Sequence, residues 1–407
     1  MSLVSFNWDK HLIYAIIFWI LEITIDFVKA FRWDFFQMSE SAVQNEYIIL
    51  ILAHIADLLS IFLVLYIHCS FRKQNNIKKS NNESSLIYKD YEKSQRKSLI
   101  KKMIIISIID YLSRCVYWIF YAITGADYND VFHQLQRDVS YVIDIFMRYL
   151  FSIYILNIVI LKHRKVSLIS IIIGFCILLP ADIVLLKRDK NTKTGLSLVY
   201  TAIIALKGIF FPLEDTMTKK LFTEEFILPE KFMLIKSCFG SIILVITTPI
   251  LYFSFRISLK LTFNTKQIIT AVIYVLADFV KSYCLLKIIY HFSSQSVSFL
   301  VMSRAVAGTI TQIINFIKDN KNKDPVEIIL LIIETIGILI ISFATLLYDE
   351  IIIINKWGLN ENVKKGIISR GEEDVITTIE LEITRDITFD ENFLPDDCIK
   401  ENLQNEI

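Results

Sequence analysis

The chain has 407 residues, of which 54% are hydrophobic and 21% charged, and its mean hydropathy is +0.51. The apolar residues are collected into runs of about 20 or more, the length needed to cross the ~30 Å hydrocarbon core of a bilayer. This pattern excludes an ordinary soluble protein of two or three domains and predicts a polytopic membrane protein embedded in the lipid bilayer. The formal net charge of +1 says little by itself, and we expect no nucleic-acid partner.

The first apolar run begins at His11 and carries three charged residues, Glu22, Asp26 and Lys29. No cleavage site made of small residues follows it, so we interpret it as a retained membrane helix rather than a signal peptide. The three charged residues share a face near one helix end, where we expect them to meet headgroup water.

About ten apolar runs lie between polar breaks, and each must be helical because backbone polar groups in lipid are satisfied within their own segment. In the sixth run Lys207 lies deep, and Pro212 is followed by two acids, Glu214 and Asp215. Pro212 has no N–H to donate, so we predict that this helix is kinked and is the moving or broken element. The runs are 11–31, 47–69, 102–124, 139–161, 166–187, 195–218, 231–255, 267–291, 295–317 and 326–350.

The polar segments between the runs suggest how the chain is oriented. The stretch "FRKQNNIKKSNNESSLIYKDYEKSQRKSLIKK" holds ten Lys and Arg residues against three acids, so the positive-inside rule predicts a cytoplasmic loop at 70–102. With ten spans, both termini are then cytoplasmic. The short "KHRK" at 162–165 agrees with this orientation, whereas "KRDKNTK" at 187–193 does not. Residues 355–407 are acidic and are predicted to be a largely disordered cytoplasmic tail.

Two arginines occupy matching positions in different runs. Arg148 and Arg304 each lie near the middle of a predicted helix, and the next basic residue follows 14 positions later, at Lys162 and Lys318. A short polar loop and another apolar helix follow in both cases. This shared spacing is the first sign of an internal repeat.

The helix before each arginine extends the match. Asp110 and Arg114 in the third run are echoed by Asp278 and Lys281 in the eighth. Five helices per repeat is an odd number, so the second copy must enter the membrane upside down, as in inverted-repeat transporters. The prediction is an all-α membrane protein of two inverted five-helix repeats, 1–194 and 195–354.

Several stretches also resemble a known family. The third to fifth helices of the drug/metabolite transporter superfamily (EamA-like) are similar to "SIIDYLSRCVYWIFYAI" and "VIDIFMRYLFSIYILNIVILKHRKVSLISIIIGFCILLPADIV". The closer likeness is to solute carrier family 35, subfamily F, whose later helices resemble "LKGIFFPLEDTMTKKLFTEEFILPEKFMLIKSCFGSIIL", "SRAVAGTITQIINF" and "GILIISFATLLYDEIII". The likeness covers most of 11–354. It implies a transporter in an intracellular membrane, Golgi or endo-lysosomal/vacuolar.

The chain departs from that family at three positions. Ile145 stands where relatives have Gln three residues before the helix-four arginine, and Tyr149 stands where they have Gly just after it. Lys236 stands where the family usually has a glutamate in helix seven. These departures concern the selection of the solute rather than the fold.

A charged residue at the bilayer centre costs about 2.5–3.5 kcal/mol, so such residues must face the bundle interior or a cavity. Each intramembrane charge can either bind solute or pair with a neighbour. Asp144 lies one helical turn from Arg148 and can pair with it. The pairs Asp110/Arg114 and Asp278/Lys281 can each neutralise their own charges. Lys236 and Lys287 lie near enough to helix ends for their ammonium groups to snorkel to the membrane surface. The predicted substrate-binding residues are Arg304, Arg148, Asp110, Asp278, Lys207 and Tyr149.

The leading hypothesis is a secondary transporter that moves a small polar organic solute, an anionic one included, by alternating access. Alternatives are a nucleotide-sugar-type antiporter of the same superfamily and a non-transporting membrane scaffold. A receptor is disfavoured by ten spans. An enzyme is disfavoured because no His or metal cluster is visible, so we expect no catalytic residue, metal or cofactor. A homodimer is compatible with the sequence.

Overall fold

The computed structural model describes an almost entirely helical chain, which confirms the predicted all-α class. It describes residues 4–6, 11–31, 42–75, 98–115, 130–156, 162–188, 194–225, 227–255, 265–292, 296–298, 300, 306, 309–310, 313–314 and 325–359. The first helices are α1 (Leu12–Phe31), α2 (Ala42–Leu58), α3 (Ser60–Asn75), α4 (98–115) and α5 (Asp130–Ile155). The later helices are α6 (Lys162–Arg188), α7 (Thr194–Glu225), α8 (Pro229–Phe255), α9 (Thr265–His291) and α10 (Pro325–Tyr348).

Most of these helices overlap the predicted apolar runs, although α5 begins nine residues before its run and α7 ends seven residues after its run. Residues 116–124 of the third run and most of 295–317 lie outside the described residues. Within the described part, five segments are long and apolar enough to cross a membrane. Their outer faces carry exposed Ile, Val, Leu and Phe side chains, as expected of surfaces that face lipid. The chain is therefore a membrane protein. The five segments are Tyr47–Tyr66, Lys162–Ala181, Pro229–Ile250, Thr265–His291 and Ile328–Tyr348.

The second predicted span is broken in its middle. Helix α2 ends at Leu58 and α3 begins at Ser60, with a turn at Leu59 whose N–H donates to the Ala56 carbonyl. The Ser60 hydroxyl donates to the Asp57 carbonyl at 2.6 Å, which satisfies a group that the break leaves without a helical partner. Irregular backbone at membrane depth is tolerated where protein covers it, and Ser60 is fully buried.

The predicted break at Pro212 is wrong. Helix α7 is continuous from Thr194 to Glu225 with Pro212 inside it, and the Thr216 hydroxyl donates to the Pro212 carbonyl at 2.7 Å. Neighbouring groups can satisfy backbone atoms freed by a proline in a membrane helix, so the ring is accommodated without ending the helix. The interruption occurs instead in a span that contains neither proline nor glycine.

Helices α6 and α10 pack against each other along their length through two glycines. A Cβ atom added to Gly174 would lie 2.6 Å from Ile341 Cγ1 and 3.1 Å from the Gly337 carbonyl oxygen. One added to Gly337 would lie 3.1 Å from the Gly174 carbonyl oxygen. Small residues allow membrane helices to approach closely, so these two glycines permit the close contact between α6 and α10.

Other helix pairs complete the bundle. Helix α5 packs on α7, α1 on α9, and both α2 and α3 on α8. Lys219 of α7 is 1% exposed and donates to the Tyr290 and Phe292 carbonyls at 3.1 and 2.5 Å. A fixed ammonium at this C-terminus compensates the negative end of the α9 dipole.

The start of the chain pairs with the segment that follows α10. Strands β1 (Val4–Phe6) and β2 (Ile352–Ile354) form an antiparallel ladder in which Val4 lies opposite Ile354. Residues 4–6 and the end of α10 are therefore on the same side of the bundle.

Candidate functional site: a buried charge centre

A chain of ion pairs runs through the interior and begins beside the break between α2 and α3. Asp57 accepts a hydrogen bond from Arg114 of α4 at 2.7 Å, and the same guanidinium binds Asp110 one turn earlier at 2.9 Å. Asp110 lies 3.4 Å from the Lys236 ammonium of α8, which binds Glu214 of α7 at 2.8 Å. Four helices are thus linked by consecutive charged contacts.

The chain continues through the next residue of α7. Asp215 follows Glu214 directly and accepts a hydrogen bond from Arg148 of α5 at 2.5 Å. Arg148 also binds Asp144 one turn earlier through two nitrogens, at 2.7 and 3.1 Å. Two carboxylates therefore hold a guanidinium that is only 2% exposed. We call the eight residues Asp57, Asp110, Arg114, Asp144, Arg148, Glu214, Asp215 and Lys236 the charge centre.

The members of the charge centre come from both predicted repeats. Five belong to residues 1–194 and three to residues 195–354. Taking an ion out of water costs several kcal/mol, so the centre persists because each charge has an opposite charge within contact distance. Five members are acids and three are bases, which gives a formal charge of −2 when all are ionised (3 − 5).

Beside this centre lie buried polar atoms without a hydrogen-bond partner among the described residues. Both ring nitrogens of His54 and the Oδ1 atom of Asp57 are in this state. His54 is 2% exposed, its ring stacks on Tyr111 with 6.1 Å between centroids, and its Cε1 would lie 2.8 Å from a Cβ added to Gly240. Gly240 therefore leaves the space that the imidazole ring of His54 occupies.

Two further buried pairs flank the centre. Lys281 of α9 forms an ion pair with Glu22 of α1, and Lys287 binds Glu230 of α8 at 3.0 Å. The Tyr283 hydroxyl also donates to Glu230, at 3.1 Å. These pairs hold α9 between α1 and α8, and each joins one acid to one base.

The structure brings together part of the predicted site. Arg148 and Asp110 belong to the charge centre, and Asp278 lies close enough to Arg114 and Asp57 to interact with their charges. Tyr149 is buried with its ring edge-on to Tyr348, 5.8 Å between centroids, so it packs between α5 and α10. Arg304 and the side chain of Lys207 lie outside the described residues.

The predicted pairing is confirmed for two bases. Arg148 binds Asp144 and Arg114 binds Asp110, each across one helical turn. Lys281 is also paired, but its salt bridge runs to another helix. Arg148 and Arg114 in addition reach a carboxylate on a different helix, which sequence spacing could not indicate.

Two expectations about surface charges are wrong. Lys236 does not snorkel to a helix end, because its side chain is 9% exposed and lies between two carboxylates. Glu22 does not meet headgroup water, because it is 4% exposed and paired with Lys281. In both cases a partner lies on another helix more than 100 residues away in sequence, Asp110 for Lys236 and Lys281 for Glu22.

Sequence reasoning missed Asp57 and His54. Asp57 is the one acid in the apolar run 47–69, and His54 lies three residues before it on the same helix face. A charged residue inside a candidate span is a functional-site hypothesis in its own right, so this signal was available. Glu214 and Asp215 were noticed only as an interruption of the sixth run.

A second polar cluster lies where α6 begins and α10 ends. His163 Nε2 is 3.3 Å from Glu350 Oε1, and the Arg164 guanidinium lies over the Tyr348 ring at 5.3 Å. Lys162 donates to the Trp357 carbonyl at 2.7 Å. We call this group the end cluster; it joins the basic turn at 162–165 to the acidic end of the last helix.

Asp349 belongs to the end cluster and lies just beyond the last candidate span. Its Oδ1 accepts a hydrogen bond from Ser296 at 3.4 Å, while its buried Oδ2 has no partner among the described residues. Burial raises the pKa of Asp349 from 3.8 to about 7, against the opposing effect of the Arg164 charge. The described residues contain no group of three or more His, Cys, Asp or Glu that could hold a metal ion.

Comparisons with known proteins give little information. No family model matches the chain, and no curated protein sequence matches it. A solved structure described as "Crystal structure of protein" is similar to it with a TM-score of 0.44 and 10% identity. That likeness covers 82% of this chain and 97% of the other. A TM-score this low supports no argument, so function is inferred from the residue contacts.

Proposed function

We propose that this protein is a multi-pass secondary transporter that moves a small polar organic solute across an intracellular membrane by alternating access. The observation that carries the proposal is the charge centre, in which buried ion pairs connect helices of the two predicted repeats. Transporters built from inverted repeats bind their solute near the midplane, at the interface between the repeats.

The broken second span supports the same function. Discontinuous helices commonly supply polar backbone groups and mobile side chains at transport sites. Here the break at Leu59 directly follows Asp57, and the unpartnered His54 ring is one turn away. A packed scaffold would have no need of a helix break beside its most polar region.

The arrangement of helix pairs supports two related repeats and ten spans. The fifth predicted span (α6) packs on the tenth (α10), and the second (α2 and α3) packs on the seventh (α8). Each is a pairing of counterparts five helices apart, as a pseudo-twofold relation requires. The β1–β2 ladder requires an even number of crossings between residues 6 and 352. With the basic 70–102 loop in the cytoplasm, both ends of the bundle are cytoplasmic as well.

The ion pairs of the charge centre limit the ways in which an anionic solute could bind there. Each of its three bases already contacts a carboxylate of the chain. An anionic solute would therefore have to displace one of these carboxylates or bind Arg304. Replacing Arg304 with Gln tests the second route: uptake of anionic solutes should be lost, whereas Arg304→Lys should restore it only partly because it lacks the planar fork.

The decisive experiment is solute uptake by the purified full chain in liposomes, with a panel of labelled sugars, amino acids, nucleotide sugars and organic acids and amines. Asp215→Asn weakens the contact between α7 and Arg148 and should reduce uptake at least about tenfold, or about 1.4 kcal/mol. The matched control is Glu224→Gln, because Glu224 forms an exposed pair with Lys102 and its loss should leave uptake unchanged.

Three results would count against the proposal. Wild-type protein that transports no member of the panel would favour a scaffold. Equal uptake by the Asp215→Asn variant and wild type would separate the charge centre from transport. Equal loss in the Glu224→Gln control would show that the assay reports general damage.

A further inference from the structure

The charge centre contains more acids than bases, and we propose that Glu214 takes up and releases a proton during the transport cycle. This inference rests on the proposed function and adds to it the identity of the coupling ion. It follows from the juxtaposition of Glu214 with a lysine that another carboxylate shares, and with an acid at the next position.

Glu214 contacts one base of the charge centre, Lys236, and shares it with another carboxylate. The Lys236 ammonium is 2.8 Å from Glu214 and 3.4 Å from Asp110, and Asp110 in turn shares Arg114 with Asp57. The two bases Arg114 and Lys236 therefore serve the three carboxylates Asp57, Asp110 and Glu214. Within the described residues, an ionised Glu214 leaves one negative charge of this part of the centre uncompensated in a buried site.

A proton is the positive charge that this geometry can accept most readily. An uncompensated buried ion is costly, and a carboxyl group in this position neutralises itself by binding a proton. Glu214 is 5% exposed and already hydrogen-bonded, so a larger cation would have to displace Lys236. A proton needs no additional space.

The neighbouring helices surround Glu214 with both signs of charge. Helix α8 contributes Lys236, and α4 contributes Asp110 with Arg114. The remaining charged or titratable groups that face this region are Asp144 and Arg148 of α5, Asp215 of α7, His54 and Asp57 of α2, and Asp278 of α9.

An independent observation also indicates a bound proton or water. Asp57 Oδ1 and both nitrogens of the His54 ring are buried without hydrogen-bond partners among the described residues. These atoms lie on one face of α2 beside Asp110 and Arg114. Buried polar atoms without a partner are uncommon unless water or a ligand occupies the site, so we infer that water or a proton can enter the centre beside Asp110, which shares Lys236 with Glu214.

The proposed step is a simple proton transfer. The Glu214 carboxylate takes one proton from water on one side of the membrane and becomes a neutral acid while Lys236 stays with Asp110. After the repeats rearrange, the same proton passes to water on the other side and the Glu214–Lys236 pair reforms. No electron is transferred and no covalent bond other than the O–H bond changes.

Infrared difference spectroscopy of the purified full chain between acidic and alkaline buffers can detect this proton directly. The probe is the carbonyl stretch of a buried protonated carboxyl group. In an Asp349→Asn background, which removes a buried carboxyl group of the end cluster, we expect a band of this kind at neutral pH. Glu214→Gln in the same background should lack it. The matched control is Glu230→Gln, which removes a 5% exposed glutamate from a one-to-one pair with Lys287.

Two further variants protect the test against misfolding and misassignment. Glu214→Asp keeps the carboxyl group and should retain the band at a shifted frequency. Lys236→Gln removes the shared base and should keep the acid protonated to higher pH. Absence of the band in the Asp349→Asn background, or its persistence when Glu214→Gln is added, would overturn the proposal.

A flux experiment links the proton to transport and separates the two hypotheses. In liposomes with a trapped pH dye, an imposed pH gradient should speed solute uptake by wild type several-fold, whereas the uptake that remains in Glu214→Gln should not respond to the gradient. Wild-type uptake that ignores the gradient would refute proton coupling and leave the transporter proposal intact. Detection of the Glu214 carboxyl band in a protein that takes up no solute would refute only the transporter proposal.

Discussion

Two regions join the predicted repeats, and they do so in opposite ways. Helices α6 and α10 meet through the backbone of Gly174 and Gly337, with Leu178 and Ile341 filling the space around them. The charge centre joins α2, α4 and α5 to α7 and α8 through ion pairs. The first region is apolar and closely packed, whereas the second is polar and includes buried atoms that have no hydrogen-bond partner among the described residues.

The difference suggests which contact is fixed and which can rearrange. A tightly packed apolar crossing has one favourable arrangement, because a small displacement removes its contacts or produces clashes. In the charge centre, Lys236 lies between Asp110 and Glu214 and Arg148 lies between Asp144 and Asp215. Each base can release one carboxylate and keep the other. We therefore expect α6 and α10 to be the axis about which the halves rock.

The largest effect should come from Arg148→Gln, which leaves Asp144 and Asp215 in a buried site without a guanidinium. Breaking a buried ion pair on one side costs about 3–5 kcal/mol, so the variant should melt at a much lower temperature as well as lose transport. Thermal melting of the purified protein measures this. Adding Asp215→Asn and Asp144→Asn should restore part of the stability, and a single variant as stable as wild type would refute the described pairing.

The next largest effect should come from Gly174→Val at the α6–α10 crossing. The new Cβ would lie 2.6 Å from Ile341 Cγ1, and overpacking of this kind costs about 1–3 kcal/mol. Melting temperature is again the measurement, and Ile172→Ala on the exposed face of the same helix serves as control. If Gly174→Val spared stability but abolished transport, this crossing would be a moving contact and the comparison would be reversed.

A smaller effect is expected from Thr247→Val on α8, whose hydroxyl hydrogen-bonds with that of Tyr111 on α4. Hydrogen bonds between membrane helices contribute about 0.6 kcal/mol on average, so the loss of stability should be of that order. Thr335→Val removes only a contact with the Leu331 carbonyl of its own helix and should cost less. Equal melting temperatures for these two variants would show that the α4–α8 contact adds nothing.

The smallest effect on stability in acidic buffer, where this carboxyl is already neutral, should come from Asp349→Asn in the end cluster. Burial raises the pKa of this carboxyl to about 7, so between about pH 4 and pH 7 the folded protein binds more protons than the unfolded chain. Stability from this group is therefore full at low pH and falls as the pH rises to about 7. The Asn variant should lose this pH dependence. An unchanged pH profile of the melting temperature would rule out a buried, protonated Asp349.

The helices and the charged contacts within one helix could be predicted from the sequence, but the charged contacts between helices could not. Runs of apolar residues long enough to cross a bilayer fix helix positions, because lipid leaves the backbone no alternative. Contacts one turn apart, such as Arg148 with Asp144, follow from helical spacing. Contacts such as Lys236 with Glu214 depend on how helices cross, and spacing along one helix carries no information about that.

The break after Leu58 illustrates a second limit of sequence reasoning. Pro212 is the residue expected to interrupt a helix, yet α7 continues through it from Thr194 to Glu225. The interruption lies instead in a stretch of good membrane residues, where the Ser60 hydroxyl donates to the Asp57 carbonyl and the Asp57 side chain binds Arg114 of another helix. Tertiary contacts therefore decide where this chain departs from a regular helix.

The β1–β2 ladder has a consequence for the timing of biosynthesis. Val4 is synthesised 350 residues before its partner Ile354. At about 5–20 residues per second, the first strand must wait roughly 20–70 s for the second. All the helices are synthesised during this interval, so the ladder can close only when every span has been made. Its formation therefore marks a finished bundle, and a folding intermediate arrested before α10 would present Val4–Phe6 as an unpaired strand.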